Sequence, residues 1–320
     1  MKKPKDISQY ISVSGYCWNK GKLIGEGGMS RIYVAYCDDI PGEFVIKIGN
    51  LFTELRIYTR LCQKSTLEKA GMIYLPEYID GGVNNETDEQ FLILKRYKSS
   101  FPEGETISDR SFIQIVENML KALRYLHMNG FVHNDVKPEN ILYDGVNFVL
   151  CDFGVTMKWK KTGYKDYTAK HFCGTKMFTG LDMHLPNKGP SPRSDIDSLI
   201  FTMIRWSGIK LPWSKLKSLD TIYAFKLDFL KNPQYLLTSC QSQIKRGLIG
   251  AFIYLNSFSS YDELPLYNKF EDELNKYLNL IPDACCQKCA SLEHIRDQLM
   301  LSDDDYDREV IKMLKYIELW

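Results

Sequence analysis

The stretch HNDVKPEN, residues 133–140, sets Asp135, Lys137 and Asn140 at spacings of two and five within one short loop. Shortly after it comes NFVLCDFGV (147–155), an apolar run that delivers Asp152 at its end and Gly154 just beyond. Carboxylate and amide oxygens are the ligands a hard divalent cation takes, and a lysine beside them supplies a mobile positive charge. Set against the known template for such a loop, Asp135 is expected to accept or orient a hydroxyl proton. Lys137 is expected to neutralise charge growing on a transferred phosphoryl group. Asn140 and Asp152 are expected to ligate Mg2+, with Asp152 the main ligand. His133 reads as a packing residue beneath the loop.

The chain around this loop has 320 residues, 44% of them hydrophobic and 13% aromatic, enough for a large core. Lys and Arg number 41 against 40 Asp and Glu, so bulk charge gives no support to a nucleic-acid or membrane-surface partner. Nine scattered cysteines suit a reducing compartment better than a disulfide framework. MKKPKDISQYISVSG has no apolar core of a secretory signal, and no window is apolar enough to span a bilayer. The expectation is an intracellular protein, cytoplasmic or nuclear, monomeric and not secreted.

Upstream of the loop, KLIGEGG, RIYVAYC, EFVIKIG and QFLILKRY are short runs bounded by turn residues, and they read as strands. Between them LFTELRIYTRLCQK carries Leu51, Leu55, Tyr58 and Leu61 near helical spacing, the one helix expected in this region. From about 110 the period lengthens. SFIQIVENMLKALRYLHMNG places Phe112, Val116, Met119, Leu120, Leu123 and Leu126 on one helical face, with Gly130 as its C-terminal stop. SDIDSLIFTMIRW (194–206) and KFEDELNKYL (269–278) read as further helices.

The strand–turn–strand LIGEGGMSRIYV brings Gly25, Gly27 and Gly28, residues without Cβ atoms whose backbone N–H groups can close over phosphates. Ile24 precedes the turn; the segment resembles the kinase glycine-loop pattern, which implies Ser30 at the place of its third glycine and Ile32, with Val34 one alternation on, as the apolar cover for the adenine. Lys47 lies in an otherwise apolar strand, where it suits the phosphates of ATP, oriented by Glu54 seven residues on. Glu43, in the same strand, is the next carboxylate available and is poorly placed.

Taken in order, these pieces match a known signature. The span from about 18 to 280 resembles the protein-kinase superfamily, and WNKGKLIGEGG, LFTELRIYTR, GTKMFTGLDMH (174–184), PRSDIDSL, WSGIKLPW and YDELPLYNKF are similar to phrases of the vaccinia-related kinase family within the casein kinase 1 group. The resemblance implies an α+β, bilobal fold: a small antiparallel-sheet N-lobe (18–94) with one key helix, a hinge (95–98) and a larger helical C-lobe (99–280). Residues 1–17 would then be an N-terminal extension and 281–320 a helical extension packed on the C-lobe. It further implies Leu94 as gatekeeper, Asp195 as a brace for the loop backbone and Thr175 as a partner of Asp135 and Lys137. The implied activity is transfer of the γ-phosphoryl group of Mg-ATP to Ser/Thr hydroxyls of proteins, with ATP and Mg2+ as cofactors. Asn134 occupies the place of the arginine that, in many kinases, pairs with a phosphorylated activation segment. The expectation is a kinase that does not need that phosphorylation. The alternatives are a pseudokinase scaffold and a small-molecule kinase of the aminoglycoside type. Cys285, Cys286, Cys289 and His294 could nominally ligate a metal, and KWKKTGYK (158–165) could attract an acidic partner.

Overall fold

The computed structural model describes residues 8–27, 30–99, 107–159, 172–185 and 188–281. In chain order the first strands are β1 (Gln9–Ile11), β2 (Cys17–Glu26), β3 (Ser30–Tyr36) and β4 (Phe44–Gly49), followed by helices α1 (Phe52–Leu61) and α2 (Lys64–Ala70). Next come β5 (Tyr78–Val83), β6 (Gln90–Lys95), β7 (Lys98–Ser99), α3 (Asp109–Met128), β8 (Phe131–Val132), β9 (Ile141–Tyr143), β10 (Phe148–Leu150) and β11 (Met157–Lys158). Helices α4 (Pro192–Trp206), α5 (Leu219–Lys231), α6 (Gln234–Leu237), α7 (Gln243–Ser257) and α8 (Tyr267–Asn279) complete the described chain. These elements fall into two compact units, one from the described residues up to 99 with 141–156 and one from the described residues of 107–140 with those from 157 to 281.

In the first unit a six-stranded antiparallel sheet runs in the order β1-β2-β3-β4-β6-β5. Alternation along FVIKIG sends Phe44, Ile46 and Ile48 into a core with Tyr10, Trp18, Ala35, Phe91 and Ile93. The opposite face therefore carries Val45 and Lys47, whose register partners are Val34 and Leu94, and Ile32 and Leu92. Two features differ from the sequence reading. Residues 9–11, expected in an extension, form the edge strand, because Tyr10 is buried against Phe91. The turn after β1 then reaches the other edge, where Val13 N donates to Gly81 O at 3.0 Å. A second, short helix, α2, also follows α1 and stops at Gly71 in the left-handed conformation (φ 61°). The strands β9 and β10 belong with this unit and not with the helical one, since β9 pairs with β7 and Leu150 N donates to Tyr74 O at 3.0 Å.

In the second unit α3 buries the face expected of it, starting at an Ser108 cap that accepts from Ser111 N and stopping before Gly130 at φ 78°. Helix α4 begins with a capping box, Ser191 with Ser194, and Pro192 in its first turn. It is buried over most of its length, packed by α3 and α7. Among the described residues no helix is long and apolar enough to cross a membrane.

Candidate active site

In the first unit three charged side chains converge. Lys47 comes from the apolar strand β4, and Glu54 falls on the buried face of α1 beside Ile57, Tyr58 and Leu61. Lys47 Nζ donates to Glu54 Oε1 at 2.5 Å and to Asp152 Oδ1 at 2.9 Å. Burial pulls the lysine pKa down, but the carboxylates of Glu54 and Asp152 outweigh it and leave it raised, so the ammonium stays charged. Burial pushes Glu54 up, against the pull of Lys47. Glu54 Oε2 is buried with no hydrogen-bond partner among the described residues. Tyr58 packs on Phe153, ring centroids 4.9 Å apart, which ties the position of α1 to that of Asp152. A Cβ at Gly154 would stand 3.0 Å from Glu54 Oε1 and 3.2 Å from Asp152 Oδ1, so a side chain there would crowd both carboxylates of the cluster. Glu43 is exposed and does not enter it.

The glycine turn leads into the same face of the sheet. Gly25 pairs with Ile32, and Gly27 N donates to Ser30 O at 2.9 Å; Gly28 lies outside the described residues. Ser30 opens β3 opposite Gly49, half-buried. Ile32 stands opposite Lys47, and Leu94 opposite Val45, so Ile32, Lys47 and Leu94 share one face. Ile24 sits in the bulge between Leu23 and Gly25, 46% exposed, out of phase with that row.

In the second unit Asp135 is held on both oxygens. Thr175 N donates to Oδ1 at 2.8 Å, Asn140 Nδ2 donates to Oδ2 at 3.0 Å, and Lys137 Nζ lies 2.7 Å from Oδ2. Lys137 also donates to Thr175 Oγ1 at 2.8 Å, closing a ring of three residues, Asp135, Thr175 and Lys137, with Asn140 attached at Asp135. Beneath the loop, buried Asp195 accepts from His133 N at 2.7 Å and Asn134 N at 2.8 Å, and its Oδ2 lies 2.9 Å from His127 Nε2. Asn134 needs that anchor, since its φ of 68° lies in the left-handed region, which asparagine tolerates better than most residues. His133 is fully buried and its Nδ1 accepts from Asp135 N at 3.3 Å, a packing position and not that of a base.

The groups present suit Mg2+ and a polyphosphate. Asp152 in the first unit and Asn140 in the second each carry side-chain oxygens of the kind Mg2+ takes, and it is the Asn140 amide nitrogen, not its Oδ1, that donates to Asp135. In the first unit one ammonium faces two carboxylates, a balance that invites a cation.

Sequence reading passed over Lys226, a lysine in the apolar run IYAFKLDFL of α5 that is completely buried and donates to Lys176 O at 2.7 Å and Thr179 O at 2.5 Å. Burial pulls its pKa down to about 7, with Asp197 opposing. It also passed over the pair of half-buried Arg193 and buried Asp182, which fixes the segment after Gly180 to the start of α4. The signal available was a lone charge within apolar neighbours. Cys173 is half-exposed, and burial raises its pKa. The Cys285, Cys286, Cys289 and His294 cluster, and residues 160–165 of the basic stretch, lie outside the described residues.

Residues 18–246 match the family model described as protein kinase domain. Among curated proteins, the serine/threonine-protein kinase VRK2 of Homo sapiens is 31% identical over 83% of this chain, which spans 58% of that relative's length. The B1 kinase of Vaccinia virus (strain Ankara) is 29% identical over 79% of this chain and 92% of its own. A solved structure of vaccinia related kinase 3 superposes with a TM-score of 0.73 at 22% identity, covering 87% of this chain and 92% of that one, a likeness of fold. With the family model covering most of the described residues, the chain belongs to the protein kinase domain family.

Proposed function

We propose that this chain is an ATP-dependent serine/threonine-protein kinase that acts on protein hydroxyls without phosphorylation of its own activation segment. The observation that carries the reading is the Lys47–Glu54 pair at 2.5 Å, with Asp152 at 2.9 Å from the same ammonium. In protein kinases this pair and the metal-binding aspartate must both be in place for transfer, and a scaffold has no chemical need of either. Mg-ATP supplies the phosphoryl group when bound. Lys47 then holds phosphate oxygens, and Asp152 and Asn140 each offer an oxygen to Mg2+. Asp135 takes the hydrogen bond of the incoming hydroxyl, aligning it and receiving its proton, while Lys137 offsets charge on the moving group. Thr175 and the names of the relatives support serine or threonine as acceptor.

Purified protein with Mg2+, labelled ATP and a generic protein substrate, run beside Asp135→Ala, tests the activity. Wild type is expected to exceed the variant by about 10²–10⁴-fold, the scale of a lost general base, with nucleotide binding kept. Equal rates with intact nucleotide binding would make the chain a scaffold. Phosphatase treatment of the wild type is expected to leave its rate within about twofold, since no loop arginine waits for a phosphate; loss of most activity would overturn that part.

A further inference from the structure

Immediately after Thr175 the chain makes one helical turn. Phe178 N and Thr179 N both donate to Thr175 O at 2.9 Å, and Thr179 Oγ1 donates to the same oxygen at 2.8 Å. A lone turn leaves its later carbonyls without partners from the turn itself. Two side chains from outside it collect them. Trp213 Nε1 donates to Met177 O at 2.8 Å, and Lys226 Nζ donates to both Lys176 O at 2.7 Å and Thr179 O at 2.5 Å. The ammonium stands over the Phe201 ring, 5.1 Å from its centroid, with His184 Nε2 at 3.5 Å. Putting a lysine there is costly compared with a leucine or methionine of the same reach. What it adds is N–H donors aimed at two carbonyls of a single turn. The first residue of that turn is the one whose N–H and hydroxyl grip Asp135 and Lys137.

Resting on the kinase reading above, we propose that Lys226 is a positioning residue for phosphoryl transfer: it clamps residues 175–179 so that Thr175 holds Asp135 in its working orientation. A buried lysine on α5 thereby does constitutively what a phosphorylated segment paired with a loop arginine does where that arginine exists. Asn134, in the arginine's place, is consistent with a segment held from the other side.

The test is Lys226→Met, which fills the same space without a donor, with two readouts. The kcat for a protein substrate is expected to fall roughly 10–100-fold, the scale of a small misplacement of a catalytic group, while the KM for ATP stays within about twofold. Hydrogen exchange at the Thr175, Phe178 and Thr179 amides is expected to speed up, with α3 amides unchanged. A kcat per nucleotide-binding molecule equal to wild type overturns the proposal, even if the variant melts at lower temperature. Should the methionine variant not fold, Lys226→Leu, which likewise has no donor, carries the same test, and wild-type kcat and exchange in that variant overturn it. Failure of the kinase reading is distinguishable, because it shows in the wild type as no transfer above Asp135→Ala, whereas failure of the Lys226 role shows only in the variants.

Discussion

In the sheet-containing unit Lys47 is held between two carboxylates, and the cluster stands or falls on charge balance. In the helical unit Asp135 is held by a backbone N–H, an amide and a lysine, above a loop whose own backbone is pinned by Asp195. The first arrangement takes Lys47 from a strand and Glu54 from a helix, elements that are rigid already, and only Asp152, at φ 67° beyond β10, stands on irregular backbone. The second sits on irregular backbone, where position has to be imposed by hydrogen bonds from outside the loop. Damage to the two should therefore look different. Charge lost from the first can be partly repaired by removing the opposing charge, and backbone displaced in the second cannot.

The largest effect expected is at Lys47. Lys47→Met removes a phosphate-binding charge, and a loss of about 10²–10³-fold in kcat/KM follows by analogy with removal of one electrostatic donor from an active site. It also leaves buried Glu54 unpaired, at a cost of about 3–5 kcal/mol in unfolding free energy. Adding Glu54→Gln should recover much of the stability and none of the activity. Denaturant titration beside the kinase assay reads both, and a double variant no more stable than the single one breaks the account of that cluster as a charge balance.

For the helical unit the matching probe is backbone. Gly174 has φ 84°, and a Cβ there would press well inside contact distance of the Asn134 carbonyl. Gly174→Ala should cost about 3 kcal/mol from left-handed strain and overpacking together. The relief available is movement of residues 174–175 away from the loop, so kcat should fall with the ATP affinity kept. A variant with wild-type kcat would show that the grip of Thr175 on Asp135 is not what sets the rate.

How much of this was legible depended on whether a residue's role is local. Lys47, Asp135, Asn140 and Asp152 announce themselves because a polar group at a fixed spacing in or after an apolar run has few structural uses. Which face of β4 Lys47 takes was not legible in the same way, because it depends on Phe44, Ile46 and Ile48 meeting the core formed with other strands. Residues 9–11 and Lys226 escaped because nothing nearby in sequence explains them. Gln9–Ile11 is too short to read as a strand, and is one only because β2 offers an edge and Phe91 a ring to cover. Lys226 looks like an interruption in an apolar helix until the carbonyls of Lys176 and Thr179, some fifty residues earlier, are set against it. Long-range partners of this kind leave no periodic trace.

The smallest effect expected concerns a charge in the unit that relies on hydrogen bonds. Asp197 is buried in α4, accepts from Leu181 N at 3.0 Å and from Asn256 Nδ2 at 2.7 Å, and has Arg193 nearby. Burial pushes its pKa from 3.8 up to about 6, against the pull of Arg193. Between those values the folded chain keeps a proton that the unfolded chain has lost. Its contribution to stability is therefore complete below pH 3.8 and is lost as pH rises through 6. Asp197→Asn keeps the shape and an acceptor but cannot titrate, so it should remove a fall in stability of about 3 kcal/mol across that interval. Unfolding free energies of wild type and variant, measured at steps between pH 4 and 7, give the difference directly. Parallel curves would mean that Asp197 is ionised throughout and paired with Arg193, and that this unit too balances charge as the Lys47 cluster does.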